Sequence, residues 1–583
     1  MAPDRPDDTR LLIAYLRPER RNIAALAAVL VVAMGLPLAG PVLIGRFVDD
    51  AIAGVDTSRL ATIASAFLVL VLAGDLLRLV VTWLSVRMAW RVGNTLRRDL
   101  CAHALSLDLD WHSEHSPGQL IERIDGDIDA VTRFSSTAVL NLLGNAFLII
   151  GVLVVASFLE WRAAVVIAVT VVLAVMAMVH FRRVAVPFWD TEREIQSQLY
   201  GDLEERLGGL EDLRANGAGA WAEHRLHQHS ARWWTAAKRA ALRGDGALTV
   251  AGAVFAAGSV ATLAVGIWQV RSGAMTVGTV LALLRFSQLV SDPIWQVSEQ
   301  LAEAQKAIAG TRRAARLLAD RSAIEDPTAP VALPDGPLDV ELRDVTFGYG
   351  TGRPVLDHLD LRIGAGTTLG VVGRTGSGKT TIGRLVGRLW DVDTGAVLVG
   401  GVDVRAVTQA DLRRRIGVVT QEVELYRATV RDNLTLFGAV AVGDDRILAA
   451  LDEVDLGDWI RSRPDGLDHV LEGDSELSAG EGQLLAFARL WLADPTVVVM
   501  DEASSRLDPD TERRMVAATD RLLAGRTAIV IAHRLTTLDR ADEICVLDHG
   551  RVAEHGPRGA LAEDPTSRFH ALLAAGRAIE EAV

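Results

Sequence analysis

Six stretches of this chain, residues 23–44, 60–84, 138–158, 163–179, 247–270 and 277–290, are apolar over close to the roughly 20 residues that a helix needs to cross a bilayer. Inside a bilayer every backbone polar group must find a partner within its own segment, so runs of this kind have to be helices. The turn Leu-Glu-Trp-Arg separates the third run from the fourth, and Arg-Ser-Gly-Ala-Met-Thr separates the fifth from the sixth. The sixth run is the shortest and carries Arg285.

Arg10, Arg17, Arg20 and Arg21 precede the first run, whereas the loop after it, VDDAIAGVDTSR, is mostly acidic. That asymmetry predicts a cytoplasmic N-terminus in the cell membrane, and six crossings return the C-terminal half to the cytoplasm. The polar, acidic start MAPDRPDDTR predicts no cleaved leader. External loops are short. Residues 85–135 and 180–245 are instead charged, with apolar residues at helical spacing, as in LIERIDGDIDAVTRF and LYGDLEERLGGLEDL. They predict helices that continue well past the membrane into water.

Half of the 583 residues are hydrophobic although 23% are charged, the balance of a chain split between membrane and water. A net charge of −14 argues against a nucleic-acid binder, which needs a basic face. Cys101 and Cys545 stand far apart and form no disulfide framework or zinc pattern.

Near residue 319 the composition changes. RSAIEDPTAPVALPDGP predicts a linker over 320–337, between a membrane domain over 1–319 and a domain over 338–583 in which strands and helices alternate. The latter contains LGVVGRTGSGKTT, which places Gly373, Gly378, Lys379 and Thr380 on the fixed positions of a phosphate-binding loop, after an apolar strand and before a helix. Through Gly373, Arg374, Thr375, Gly376, Ser377, Gly378, Lys379, Thr380 and Thr381, backbone N–H groups and a helix N-terminus would close around the phosphates of ATP. Lys379 would reach the β- and γ-phosphates, and Thr380 would hold Mg2+. The strand VVVM ends in Asp501 and Glu502, suited to Mg2+ and to polarising the attacking water respectively. Gln421, in GVVTQEVELY, and His533, in AIVIAHRL, end two further apolar strands at what would be the carboxyl edge of one parallel sheet, with His533 sensing the γ-phosphate.

Together these residues resemble the nucleotide-binding domain of an ATP-binding cassette transporter, and the whole chain resembles a half-transporter of the exporter-fold type. The resemblance implies an α-helical membrane domain of six helices with long intracellular extensions, fused to an α/β P-loop domain. It implies that Tyr349, in VTFGYG, stacks on adenine, that Gln421 contacts Mg2+ and the attacking water, and that Asp508 lies in the loop between facing cassettes. Glu472 would contact the intracellular helices, and segments 119–125 and 213–217 would be the coupling helices. The family also implies a dimer, each ATP being held between one chain's phosphate loop and the other's Leu-Ser-Gly-Gly-Gln signature.

Here that signature reads Leu477, Ser478, Ala479, Gly480 and Glu481, with Gly482 where a basic residue is usual. Ser478 and Gly480 are retained. Ala479 adds a methyl, and Glu481 places a negative charge near a polyphosphate, which weakens the grip. An otherwise intact set of ATP residues beside a drifted signature favours a heterodimer with a second half-transporter over a homodimer.

Charged residues at membrane depth are functional candidates by default. Asp75 and Arg78 lie three apart on one helix face, and Arg285 sits in the sixth run, so these three are the candidate substrate path. Asn141 and Asn145 read as interhelical hydrogen-bond partners. The histidines at 224, 227 and 229 read as a solvated helix rather than a metal site. The expected function is ATP-driven export of an amphipathic small molecule, peptide or lipid by alternating access. The alternatives are import on the same fold, for example of metal-chelating compounds, and ATP-gated regulation or channel activity.

Overall fold

The computed structural model describes residues 8–350, 352–421, 423–472, 476–501, 509–532 and 535–580. The chain divides into two units, Met1–Leu105 with Pro117–Asp320, and Ser106–Ser116 with Arg321–Val583.

The first unit is helical: α1 (Arg20–Ile52), α2 (Thr57–Ser106), α3 (Val139–Leu159), α4 (Trp161–Gly208), α5 (Gly219–Arg271), α6 (Val277–Leu289) and α7 (Ser291–Ala319). Among the described residues, five helices, which contain α1 to α5, are long and apolar enough to cross a membrane. The expected sixth crossing falls short on that measure. At 13 residues α6 rises about 20 Å, less than the roughly 30 Å of a hydrocarbon core. It is packed within its own unit, with Val280, Leu283 and Phe286 buried, and across Val290, itself in helical conformation, the chain continues as α7, so that α6 and α7 together are long enough for the expected sixth crossing.

Helices α2, α4 and α5 run for 50, 48 and 53 residues. That is about 75 Å each, more than twice the membrane core, so they do extend far into water. Without a hydrophobic drive between helices in lipid, small residues set the closest contacts. A Cβ on Gly278 would meet the Gly45 carbonyl oxygen at 1.9 Å, so α6 lies directly on α1. Asp49 fixes that crossing by accepting from the Gly278 N–H at 2.7 Å and the Thr276 hydroxyl at 2.6 Å. Asn145 on α3 donates to Gln296 on α7 at 3.0 Å, the interhelical role expected of it. Farther along α7, the Arg313 guanidinium grips the buried Asp127 carboxylate with both arms, Nε donating at 2.7 Å.

In the second unit, β1 (Val340–Phe347), β2 (Leu356–Ile363), β4 (Thr394–Val399) and β5 (Val402–Asp403) form an antiparallel sheet in the order β2-β1-β4-β5. The other sheet has the order β10-β9-β3-β8-β7-β6, using β3 (Thr368–Gly373), β6 (Ile416–Val419), β7 (Val497–Asp501), β8 (Thr527–Ile531), β9 (Glu543–Asp548) and β10 (Arg551–Pro557). All its pairings are parallel except β9 with β10. Strands β7 and β8 are buried at every position, as a parallel sheet covered on both faces requires. Helices α8 (Lys379–Val386) and α9 (Ala479–Ala493) belong to this unit.

The stretch around 320–337 is fastened to the second unit. The Glu325 carbonyl accepts from Arg388, Asp326 caps the Gln409 N–H at 2.8 Å, and Val331 N–H donates to the Ala406 carbonyl. The segment Ser106–Ser116 groups with this unit too: Asp108 caps its short helix by accepting from Trp111 N–H at 2.9 Å and takes the Ala323 N–H at 2.6 Å. Segment 119–125, expected as a coupling helix, belongs to the first unit, in the helix Pro117–Ile121 and the turn that follows. The other expected coupling segment, 213–217, overlaps the helix Leu210–Ala215 and ends at Gly217, whose φ of +67° turns the chain.

Candidate functional site

Strand order dictates where the chemistry gathers. In an open parallel sheet, ligands bind beyond the carboxyl ends of the strands. Strand β3 ends at Gly373 and β7 at Asp501, while β6 ends two residues before Gln421. The register pairs Val371 with Ile531, Asp501 with Ile531 and Val419 with Met500, so the three ends lie along one edge. Gln421 is exposed there. Glu502, Asp508 and His533 lie outside the described residues.

The loop from Gly373 to Lys379 is shaped by residues without a Cβ. Gly373 has φ +155°, and a Cβ there would strike the Leu547 carbonyl oxygen at 2.2 Å. Gly378, the N-cap of α8, has φ +100°, and a Cβ would meet Leu356 at 2.7 Å and the Val355 carbonyl at 3.1 Å. A left-handed backbone pressed against a neighbouring strand admits only glycine without strain. The Gly550 N–H donating to the Ser377 carbonyl at 3.1 Å anchors the loop from the β9–β10 side. Arg374, Thr375 and Gly376 form its exposed tip, Ser377 and Thr381 are buried, and Thr380 is half-buried.

Lys379 curls back over the loop. Its Nζ donates to the carbonyls of Gly373 at 2.8 Å and Arg374 at 3.0 Å, so the ammonium stands where phosphate oxygens would replace those carbonyls. Burial pushes the ammonium below the ordinary lysine value, and the nearby negative charge of Asp501 opposes that. Two buried oxygens, Ser377 Oγ and Asp501 Oδ1, have no hydrogen-bond partner among the described residues. An unmade buried hydrogen bond costs about 1–3 kcal/mol. Two of them at the mouth of one phosphate loop fit a site whose ligand completes it.

Tyr349 sits in an aromatic corner. Its ring meets Phe347 and Trp390 edge-on, with centroids 4.9 and 5.4 Å away, and its hydroxyl lies 3.2 Å from the Thr381 hydroxyl and 3.1 Å from Arg384 Nη1. Arg384 also lies over the Trp390 ring at 5.3 Å. Reading Tyr349 alone missed Trp390 and Arg384, whose only sequence signal was an aromatic and a basic residue shortly after the loop.

The drifted signature is a well-formed helix start. Ser478 caps α9: its hydroxyl accepts from the Glu481 N–H at 3.3 Å, and the Glu481 carboxylate accepts from the Ser478 N–H at 3.0 Å. The Ser478 hydroxyl in turn donates to Glu481 at 2.8 Å. Glu481 therefore has a local structural role beyond its charge. The spacing Ser-x-x-Glu ahead of an apolar run is the sequence signature of this reciprocal cap. Ala479 is exposed and Gly480 buried.

In the first unit, all three residues of the expected substrate path line one cavity. A space of about 560 Å3 is bounded by Asp75 and Arg78 from α2 and by Arg285 from α6. Asp292 from α7 lines it as well.

A P-loop sheet with a lysine over its phosphate cradle, in one chain with a bundle of membrane-length helices, defines a membrane-bound ATPase. Residues 23–294 match the ABC transporter transmembrane region and residues 356–505 the ABC transporter family. The chain is 30% identical over 485 residues to an ATP-dependent lipid A-core flippase of Desulfotalea psychrophila, covering 81% of this chain and 83% of that one. It is 32% identical over 574 residues to the multidrug efflux ATP-binding/permease protein Rv0194 of Mycobacterium tuberculosis, covering 96% of this chain and 46% of that longer one. The solved structure of a bacterial Atm1-family ABC exporter with ATP bound superposes with a TM-score of 0.79 at 23% identity, covering 95% of this chain and 98% of that one. The chain belongs to the ATP-binding cassette transporters and has the exporter fold. It is a multi-pass membrane protein that binds ATP and couples ATP hydrolysis to transport.

Proposed function

We propose that this chain is one half of an ATP-driven exporter that moves an amphipathic small molecule, peptide or lipid out across the cytoplasmic membrane by alternating access. Both termini lie in the cytoplasm, as the arginines before α1 require under the positive-inside rule. Support for the direction comes from the exporter fold and from relatives named for lipid A-core flipping and multidrug efflux. The observation that carries the reading is the loop from Gly373 to Lys379, with its lysine poised over the cradle and Ser377 Oγ and Asp501 Oδ1 left for a ligand.

In this reading the N–H groups of the loop and Lys379 hold the triphosphate, while Thr380, Asp501 and Gln421 hold Mg2+, which neutralises charge on the phosphoryl group being transferred. Glu502 polarises the attacking water, and His533 contacts the γ-phosphate. Tyr349 offers its ring to adenine. Asp508 and the signature Ser478, Ala479, Gly480 and Glu481 face the second chain, and the substrate path runs by Asp75, Arg78 and Arg285.

The partner is a different half-transporter. Ser478, the hydroxyl meant for the partner's γ-phosphate, already donates to Glu481 at 2.8 Å, and the carboxylate would sit near a polyanion. Both features leave the signature of this chain a weak clamp on the partner's ATP, while its own phosphate loop is intact. The test is ATP-dependent accumulation of a fluorescent amphiphile in vesicles carrying the chain with its partner. Accumulation in inside-out vesicles is the expected result. Uptake only in right-side-out vesicles would mean import, and flux without hydrolysis would mean a channel.

A further inference from the structure

The cavity of about 560 Å3 in the first unit lies within the size range of small-molecule sites. Its walls are mostly apolar, with Phe67 and Leu70 from α2 and Ile44 from α1, but beside Gln288 they carry two acids and two bases: Asp75, Asp292, Arg78 and Arg285. A charge at membrane depth is costly unless paired, and these four are poorly paired among the described residues. Asp75 and Arg78 approach only to 3.9 Å, Arg285 donates to the Gln288 side chain at 3.3 Å, and Asp292 takes the Ser291 hydroxyl at 3.4 Å. None of the three contacts is a short ion pair.

Pro41 adds one more polar feature. With no N–H, it cannot donate to the carbonyl four residues earlier, that of Pro37, and both prolines line the cavity. The formal charge of the lining cancels. A singly charged guest that pairs with one sign therefore meets a like charge from the other, whereas a guest bearing both signs pairs with both. Like-charge juxtaposition is how sites reject wrong partners.

We propose that this cavity binds an amphiphile whose polar head is zwitterionic, its cationic group meeting Asp75 and Asp292 and its anionic group meeting Arg78 and Arg285, with the apolar tail on Phe67, Leu70 and Ile44. The inference rests on the export reading and narrows its substrate class. Zwitterionic lipid head groups and soluble zwitterionic surfactants share this chemistry.

The experiment uses the assembled transporter in nanodiscs and three probes with one alkyl chain: hexadecylphosphocholine, hexadecyltrimethylammonium and hexadecyl sulfate. Equilibrium binding is measured first, because it needs no hydrolysis and so stands or falls apart from the export reading. The expected result is tenfold tighter binding of the phosphocholine than of either singly charged probe. Asp75→Asn with Asp292→Asn should move the preference towards the sulfate, and Arg78→Gln with Arg285→Gln towards the ammonium. A residue set that serves only packing or subunit contact would weaken all three probes alike, and that result overturns the proposal, as does an unchanged order in the variants. Stimulation of ATP hydrolysis should follow the same order. Nanodiscs of phosphatidylcholine and of phosphatidylglycerol then separate the two sources: competition by the phosphatidylcholine host identifies a bilayer lipid, and its absence a soluble amphiphile.

Discussion

Replacing Glu481 separates its two roles, helix cap and charge beside the nucleotide. In Glu481→Gln the amide oxygen still accepts from the Ser478 N–H and the box survives, since Gln serves at this position as well as Glu. Only the interaction of a negative charge with the helix N-terminus is lost, about 0.5 kcal/mol. In Glu481→Ala the bonds from the Ser478 N–H at 3.0 Å and hydroxyl at 2.8 Å both disappear. Glu481 is only half-buried, so water takes over part of their work, and the loss comes to about 1 kcal/mol. Hydrogen exchange of the amides at the start of α9 reads this directly: opening becomes about fivefold easier in the alanine variant and about twofold easier in the glutamine variant. Binding at the partner's site should move differently. Removing a charge a few ångströms from a polyphosphate is worth about 1 kcal/mol in water, so Glu481→Gln tightens ATP there about fivefold, measured by photolabelling of the partner chain. Equal exchange in the three proteins would refute the cap, and unchanged labelling in Glu481→Gln would refute the weak clamp.

Gly378→Ala must hold a Cβ at φ +100°, 2.7 Å from Leu356, and should abolish nucleotide binding by this chain's loop while leaving the assembled dimer intact on a sizing column. Lys379 has a depressed folded pKa, so its burial costs the empty protein stability at all pH below that value, and the cost fades as pH rises to the ordinary 10.5. ATP affinity, which uses the charged form, should accordingly fall at a pH below 10.5, and a fall only above it would contradict the assignment. Asp127→Ala strips the buried carboxylate from Arg313; because that guanidinium is half-exposed and reaches water, the loss is about 1–2 kcal/mol rather than the larger cost of a wholly buried pair, visible as a lower thermal midpoint. An impermeant maleimide should label exposed Cys101 in inside-out vesicles and not in intact cells, and should spare Cys545, whose buried thiol is pushed up to about 12.

Much of this architecture was written in the sequence because its constraints are local and severe. The crossings were legible because lipid allows only apolar helices, and the phosphate loop because its backbone admits only glycine at Gly373 and Gly378. The charges at Asp75, Arg78 and Arg285 stood out for the same reason, although that they share one cavity with Asp292 depends on helix packing that no spacing reveals. The short α6 shows the limit of counting apolar residues, since the sixth run is divided at Val290 between two helices, a break that composition does not reveal. Ser106–Ser116 joins the second unit through Asp108 and Ala323, a pairing 215 residues apart in the chain that leaves no trace in local composition. The Ser-x-x-Glu spacing that ends in Glu481 carries the reciprocal cap of α9 as well as the charge, since one carboxylate can serve the helix start and still face a nucleotide.

The central claim is that this chain's phosphate loop drives transport within an unequal pair. Co-expression with the product of a neighbouring half-transporter gene, followed by ATPase measurement of the purified pair with and without Glu502→Gln, tests it most directly. The account predicts that this single substitution removes nearly all turnover and all vesicle transport. Retention of about half the activity would mean two equivalent sites and would contradict it.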